Sequence, residues 1–409
     1  MKTAFINISE LQQVREEANP AVGKAMAELP SIKDAYLIIE NDLILEYGAM
    51  DDYSNANYTE VDCTGRMIFP SFCDSHTHLV YAGSREVEFQ DKIKGLSYEE
   101  IAANGGGILN SAKRLHDTSE DDLVEQAFKR LEEIKMMGTG AVEIKSGYGL
   151  SVEDEIKMLR VIKRLRNMSP LTIKSTFLGA HAIPTEYKEN RDAYVDLIVN
   201  EMLPIVKEEE LADYVDVFCD RGFFTVEETD RILQAGSAIG LRAKIHANEL
   251  DYSGGIQVGV KNNALSVDHL ECTGDEEIAI LGASETMPTL LPSTAFYLKL
   301  HYPPARKIID AGLPVAMATD YNPGSSPSGK MAFILSLASI HMKMLPEEGI
   351  NAVTLNSAYA MDVLDTHGSI TVGKKASFFI TNEIPSVAFI PYSFGSNLID
   401  EVYIEGVKQ

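Results

Sequence analysis

Between residues 67 and 319, short apolar runs alternate with longer stretches in which apolar residues recur every three or four positions. Short runs bounded by polar, glycine or proline residues read as buried strands, and the longer periodic stretches as helices packed by one face. Eight runs stand out: Met67–Asp74, Gly140–Ile144, Thr172–Leu178, Tyr214–Phe218, Leu241–Ile245, Ala264–Asp268, Glu285–Leu290 and Pro314–Thr319. Among the intervening stretches, Asp121–Met137 carries Leu123, Ala127, Leu131 and Ile134 at helical spacing, and Asp154–Leu165 behaves alike. Thr225–Ala235 does so too, with Thr225 as a cap. Eight strands alternating with helices predict an α/β protein of the (β/α)8 TIM-barrel class. An open doubly wound sheet would want a glycine-rich phosphate loop after its first strand, and none stands there.

The two ends of the chain have a different texture. Ala35–Glu40 and Leu43–Tyr47 flank the turn pair Asn41-Asp42, which predicts a hairpin, and Glu60–Cys63 adds a short alternating strand. Ala376–Thr381 and Glu401–Val407 read as strands with a glycine turn. The expectation is one small sheet domain built from residues 1–66 and 369–409, enclosing a barrel over 67–368.

In a barrel of this class the active site lies at the C-terminal ends of the strands. His76-x-His78 follows the first run, His181 the third, and His246, His269 and Asp320 close the fifth, sixth and eighth. Residues i and i+2 of a strand point the same way, so His76 and His78 can converge on one ion, for which neutral imidazole is a favoured ligand. Five of the nine histidines thus fall at one face. His116, His301, His341 and His367 fall in helical or loop contexts and read as structural or surface residues.

Composition narrows the partners. Acidic residues outnumber basic ones 61 to 36, a formal charge of −25, so a nucleic acid or an anionic membrane would be repelled. An anionic substrate would need local cations in its pocket. Four scattered cysteines make neither a zinc ribbon nor a disulfide scaffold. With no secretory h-region and no membrane-length apolar run, the chain reads as cytoplasmic. Asn104-Gly-Gly-Gly107 lacks the lysine and Ser/Thr of a phosphate loop and reads as part of a long loop over the mouth of the first strand, a candidate lid.

Phe69–His78, His246, His269 and Ala318-Thr-Asp320 resemble the amidohydrolase superfamily, metal-dependent barrels with an accessory β-sandwich made from both chain ends. Asp74–Arg85, Val142–Gly149, Leu178–Pro184, His246-Ala-Asn-Glu249 and Thr319–Ser326 are further similar to the imidazolonepropionase family, ring-opening enzymes of histidine degradation. The similarity runs through the barrel and weakens over the first sixty residues. It also departs at Ser377, where many superfamily members carry Asp.

The resemblance implies a mononuclear site. Binuclear members bridge their ions with a carboxylated lysine ending strand four, whereas here that strand ends Val217-Phe-Cys-Asp220. Lys145, after strand two, is expected as a buried stem capping its strand. His76, His78, His246 and Asp320 are the implied ligands of one divalent ion, Zn2+ or Fe2+/Fe3+, which would activate a water. Asp320 and His269 would orient and deprotonate that water. Glu249 would hold the ring nitrogens and pass a proton to the leaving one. Arg85, Tyr148 and His181 would take the substrate's propionate, with Asn322, Gly324 and Ser325 lining the pocket. The implied reaction converts 4-imidazolone-5-propanoate to N-formimidoyl-L-glutamate. The alternatives are deamination of a cytosine- or guanine-like ring in the same site and a barrel that has lost catalysis. A homodimer acting on a small anionic molecule, with neither nucleic acid nor membrane as partner, completes the expectation.

Overall fold

The computed structural model describes residues 2–17, 19–96 and 107–409, so Asn104–Gly106 of the candidate lid lie outside the described residues. Eight parallel strands form one sheet in chain order: Phe72–Thr77, Thr139–Lys145, Thr172–Ala180, Tyr214–Cys219, Arg242–Ala247, Ser266–His269, Met287–Leu290 and Ala316–Met317. The sheet closes on itself past the short eighth strand. There the His78 amide donates to the Tyr321 carbonyl at 2.9 Å and the Asp320 amide to the His76 carbonyl at 3.0 Å. Closure is therefore made by, and directly beside, residues expected at the site.

The helices wrap the barrel, and their starts follow from the sequence. Ser119 and Ser151 cap helices Glu120–Met136 and Val152–Met168 by accepting from the backbone amides of Asp122 and Asp154. Thr225 and Glu228 form a reciprocal capping box on Val226–Ala238. Among the described residues, no helix is long and apolar enough to cross a membrane.

The expected first strand, Met67–Asp74, is two strands. Arg66–Pro70 lies in the terminal sheet, between Lys2–Gln12 and Phe378–Glu383, and Phe72–Thr77 opens the barrel. The change happens at one peptide: the Ser71 amide donates to the Ser377 carbonyl, just before Phe378–Glu383, and the Phe72 amide to the Gly138 carbonyl beside the second barrel strand. An unbroken apolar run conceals this, because both halves are buried.

The terminal sheet has eight strands and includes the expected hairpin, Ser31–Glu40 with Leu43–Ala49, turned at Asn41 in the left-handed region (φ 57°). It curls round its own core, in which Phe5 meets Phe378 and Tyr403 edge-on at 5.0 and 4.9 Å. The sandwich-like layers thus belong to one continuous hydrogen-bonded sheet.

Candidate active site

His76, His78, His246 and His269 converge at the strand ends, with His76 ring centroids 4.4 to 5.6 Å from the other three. Two sets of ligand atoms lie within 4.8 Å of one another: those of His76, His246 and His269, and those of His76, His78 and Asp320. All four expected ligands are therefore in one cluster, joined by His269. The Nε2 atoms of His78 and His246 stand 3.4 Å apart, and Asp320 Oδ1 lies 3.4 Å from His78 Nε2 and 3.6 Å from His76 Nε2.

What fixes these rings lies below them and was not read from sequence. His76 Nδ1 meets Asp268 Oδ2 at 2.6 Å, and His246 Nδ1 meets Asp216 Oδ1 at 3.1 Å. A carboxylate at Nδ1 fixes the tautomer that leaves Nε2 as a lone pair facing the cavity. Lys145 anchors both carboxylates, 2.7 Å from Asp216 Oδ2 and 3.8 Å from Asp268 Oδ2, and it also donates to Glu143 Oε1 at 2.6 Å. Lys244 donates to the other Glu143 oxygen and to the Ser75 and Ala360 carbonyls. The expectation that Lys145 caps its own strand is thus corrected: its stem is buried as expected, but its ammonium crosses the barrel interior. All five charged side chains are fully buried. A charge survives there only when paired and hydrogen-bonded. The sequence signal was present in single charged residues inside apolar strands, such as Val-Asp216-Val and Ala-Lys244-Ile.

Burial holds His76, His78 and His269 well below the usual imidazole range, so these rings are neutral. Neutral imidazoles and a carboxylate turned on one point are the donor set of a divalent transition metal. His76 Nε2, buried with no hydrogen-bond partner, fits that use.

The cluster forms the deep end of a cavity of about 820 Å³, whose wall includes Arg85, Tyr148, His181, Phe218, Glu249, Asn322, Gly324 and Ser325. Every residue expected at the site except His76 lines this cavity, and His76 lies just behind it. Asp320 is held by Thr294, whose hydroxyl donates to Oδ2 at 2.5 Å, and burial pushes its carboxyl up to about 6. Burial, with Asp320 and Asp220 nearby, pushes Glu249 up to about 8. Its Oε2 lies 3.7 Å from His269 Nδ1.

His181 donates from Nδ1 to the Gly147 carbonyl at 2.9 Å, and burial lowers its ring to about 3. Tyr148 sits on a loop wrapped round the buried Glu155 carboxylate, which accepts the amides of Gly147, Gly149 and Leu150. Asn322 accepts the amides of Gly324 and Ser325, both at 2.8 Å, and so shapes the turn after the last strand. A Cβ on Gly324 would stand 2.2 Å from Arg85 Nη1, so only glycine lets that guanidinium lie against the turn.

The four histidines set aside lie elsewhere: His116 pairs with Asp154, His301 with the Glu271 carbonyl, His341 stacks on Tyr302, and His367 meets Thr366. All four cysteines are free and buried.

Comparison with known proteins agrees with this geometry. The amidohydrolase family model matches residues 67–408. The imidazolonepropionase of Christiangramia forsetii is 58% identical over 408 residues, 99% of each chain, and that of Flavobacterium johnsoniae 57% with the same coverage. The imidazolonepropionase of Alkaliphilus oremlandii is 42% identical over 98% of this chain and 96% of its own. Among solved structures, a triazine hydrolase variant superposes with a TM-score of 0.77, covering 100% of this chain and 94% of its own. Escherichia coli guanine deaminase gives 0.76, covering 100% and 98%. Both are 14% identical and speak to the fold alone.

Proposed function

The chain belongs to the amidohydrolase family and, within it, to the imidazolonepropionases, and from that membership we infer that it hydrolyses 4-imidazolone-5-propanoate to N-formimidoyl-L-glutamate in histidine degradation. The single observation that carries the reading is one cavity with a neutral-imidazole and carboxylate cluster at its deep end and a guanidinium on its wall. Those two ends match a cyclic amide that bears a carboxylate tail.

His76, His78, His246 and Asp320 would hold one zinc or iron ion. Bound there, it would supply Lewis acidity and make a water nucleophile available near neutral pH. Asp320 and His269 orient that water and take its proton as oxygen bonds to the ring carbonyl carbon. Burial raises the Glu249 carboxyl to about 8, which favours its protonated form. The carboxyl delivers that proton to the ring nitrogen as the C–N bond breaks, so the nitrogen leaves neutral. Arg85, Tyr148 and His181 hold the tail, an arginine fork suiting a carboxylate through paired hydrogen bonds. In the same reading the enzyme is a cytoplasmic homodimer.

The test is metal analysis of the purified protein together with turnover of imidazolone propionate, cytosine and guanine side by side. Ring opening of the first, with bound zinc or iron in proportion to active sites, is the expected result. Deamination of either base without ring opening would replace the reading.

A further inference from the structure

Arg85, at the start of helix Glu86–Ile93, does not face the cavity as a free cation. Its Nε and Nη2 both donate to one oxygen of Glu88, at 2.8 and 2.5 Å, and the Gly107 amide reaches the same oxygen at 3.1 Å. Both side chains are nearly buried, 12% and 10% exposed, so the pairing is only weakly screened by water. Glu88 therefore cancels most of the field that Arg85 would offer an incoming carboxylate. One helical turn further, on the same face, Lys92 also lines the cavity. Its ammonium stands 5.6 Å from the centre of the Tyr297 ring, and among the described residues it has neither an ion pair nor a hydrogen bond. Among the described residues of this helix, two cations and one carboxylate leave a positive charge over, in a chain whose net charge is −25. Burial and the neighbouring Arg85 both pull the Lys92 ammonium below its ordinary value, the cost of a cation held half-dry beside another cation. An anion would relieve that cost.

We propose that Lys92 is a specificity-determining residue of this cavity: it supplies the uncompensated charge that selects ligands with a carboxylate tail, while Glu88 holds Arg85 in place and limits its pull. The proposal rests on the functional reading above for the identity of the substrate, but not for its test. Lys92→Met, at a half-buried position near the end of its helix, keeps the fold.

The measurement is calorimetric binding of two probes to the metal-loaded protein, 3-(imidazol-4-yl)propionate and its uncharged isostere 3-(imidazol-4-yl)propanamide. Lys92→Met weakens the carboxylate probe roughly tenfold or more, the size of a lost charge-assisted contact. It leaves the isostere within about twofold, and Lys92→Arg restores most of the difference. Glu88→Gln shifts the same ratio the opposite way, because Arg85 is then less neutralised. With imidazolone propionate, Lys92→Met raises KM much more than it lowers kcat. Equal weakening of both probes, or no weakening of either, overturns the proposal. A protein that discriminates the probes through Lys92 but does not open the imidazolone ring would leave this proposal standing and remove the functional reading instead.

Discussion

The two ends of the cavity handle charge in opposite ways. At the deep end, Glu143, Lys145, Asp216, Lys244 and Asp268 are fully buried and interlocked through strands on different sides of the barrel. At the outer end, Arg85, Glu88 and Lys92 share one short helix, and Lys92 is only half-buried. A dry interior punishes any unpaired charge, so the deep cluster is complete and positions groups with little freedom. A wetter rim tolerates an unmatched cation and can keep it available for a ligand. Deep substitutions should therefore change chemistry or metal retention, and outer ones should change selection.

The sharpest way to break this contrast is at Glu249, which sits where the two ends meet. Glu249→Gln should lower kcat roughly 10²- to 10⁴-fold, the usual worth of a proton-transfer group, while metal content measured by atomic absorption stays near that of the native protein. Intact turnover would remove Glu249 from the chemistry. Next in size, Asp268→Asn frees His76 to take the other tautomer. Metal affinity, read by competition with a chromophoric chelator, should fall roughly 10- to 100-fold. Unchanged affinity would mean that the buried carboxylate does not govern the ring above it.

Gly324→Ala probes the outer end by displacing the Arg85 guanidinium rather than deleting it. KM for the propionate substrate should rise roughly tenfold with little change in melting temperature, because the clash falls on the tip of a flexible side chain. A large loss of stability would show that the turn, not Arg85, needs the glycine.

The smallest effect is a pH dependence of the metal-free protein. Burial pushes Asp74 up to about 7 and Glu249 to about 8, so the fold keeps protons that the unfolded chain has released. Where the folded state binds more protons, stability falls as pH rises. His181 and His367, lowered to about 3, act in the opposite sense, as do His76, His78 and His269, which burial holds well below the usual imidazole range. They do so only below about 6.5, where unfolded imidazole takes up protons. Calorimetry of the metal-free protein should therefore show the melting temperature dropping between about pH 6.5 and 8, with added zinc offsetting the drop. A rise across that window would mean that Asp74 and Glu249 are already ionised in the fold.

Much of the barrel was legible because parallel strands buried on both faces read as plain apolar runs. All eight runs overlap their observed strands, although the eighth shrinks to Ala316–Met317 because closure there passes to Asp320 and Tyr321. The first run hid a change of sheet at Ser71 that leaves no mark on hydrophobicity. Site residues were legible where they end strands, since position along a strand fixes which face of the barrel a side chain serves. The layer beneath was not. Asp216, Asp268 and Lys145 act through partners on other strands, and the spacing within any one strand cannot reveal such a partner. Arg85 and Glu88 are visible as an i, i+3 pair, but only the fold shows that they and Lys92 face one cavity.

Arg66–Pro70 carries a consequence for how the protein is made. This strand runs through Ser71 directly into the segment bearing His76 and His78, and one of its two neighbours is Phe378–Glu383, near the far end of the chain. On the ribosome it must wait, with one edge open, until almost the whole polypeptide has emerged. Phe378–Glu383 is thus a late-arriving latch, and a message truncated a few dozen codons early would yield a nearly complete barrel with an unsealed seam beside the strand that leads to His76 and His78, an inviting target for proteolysis.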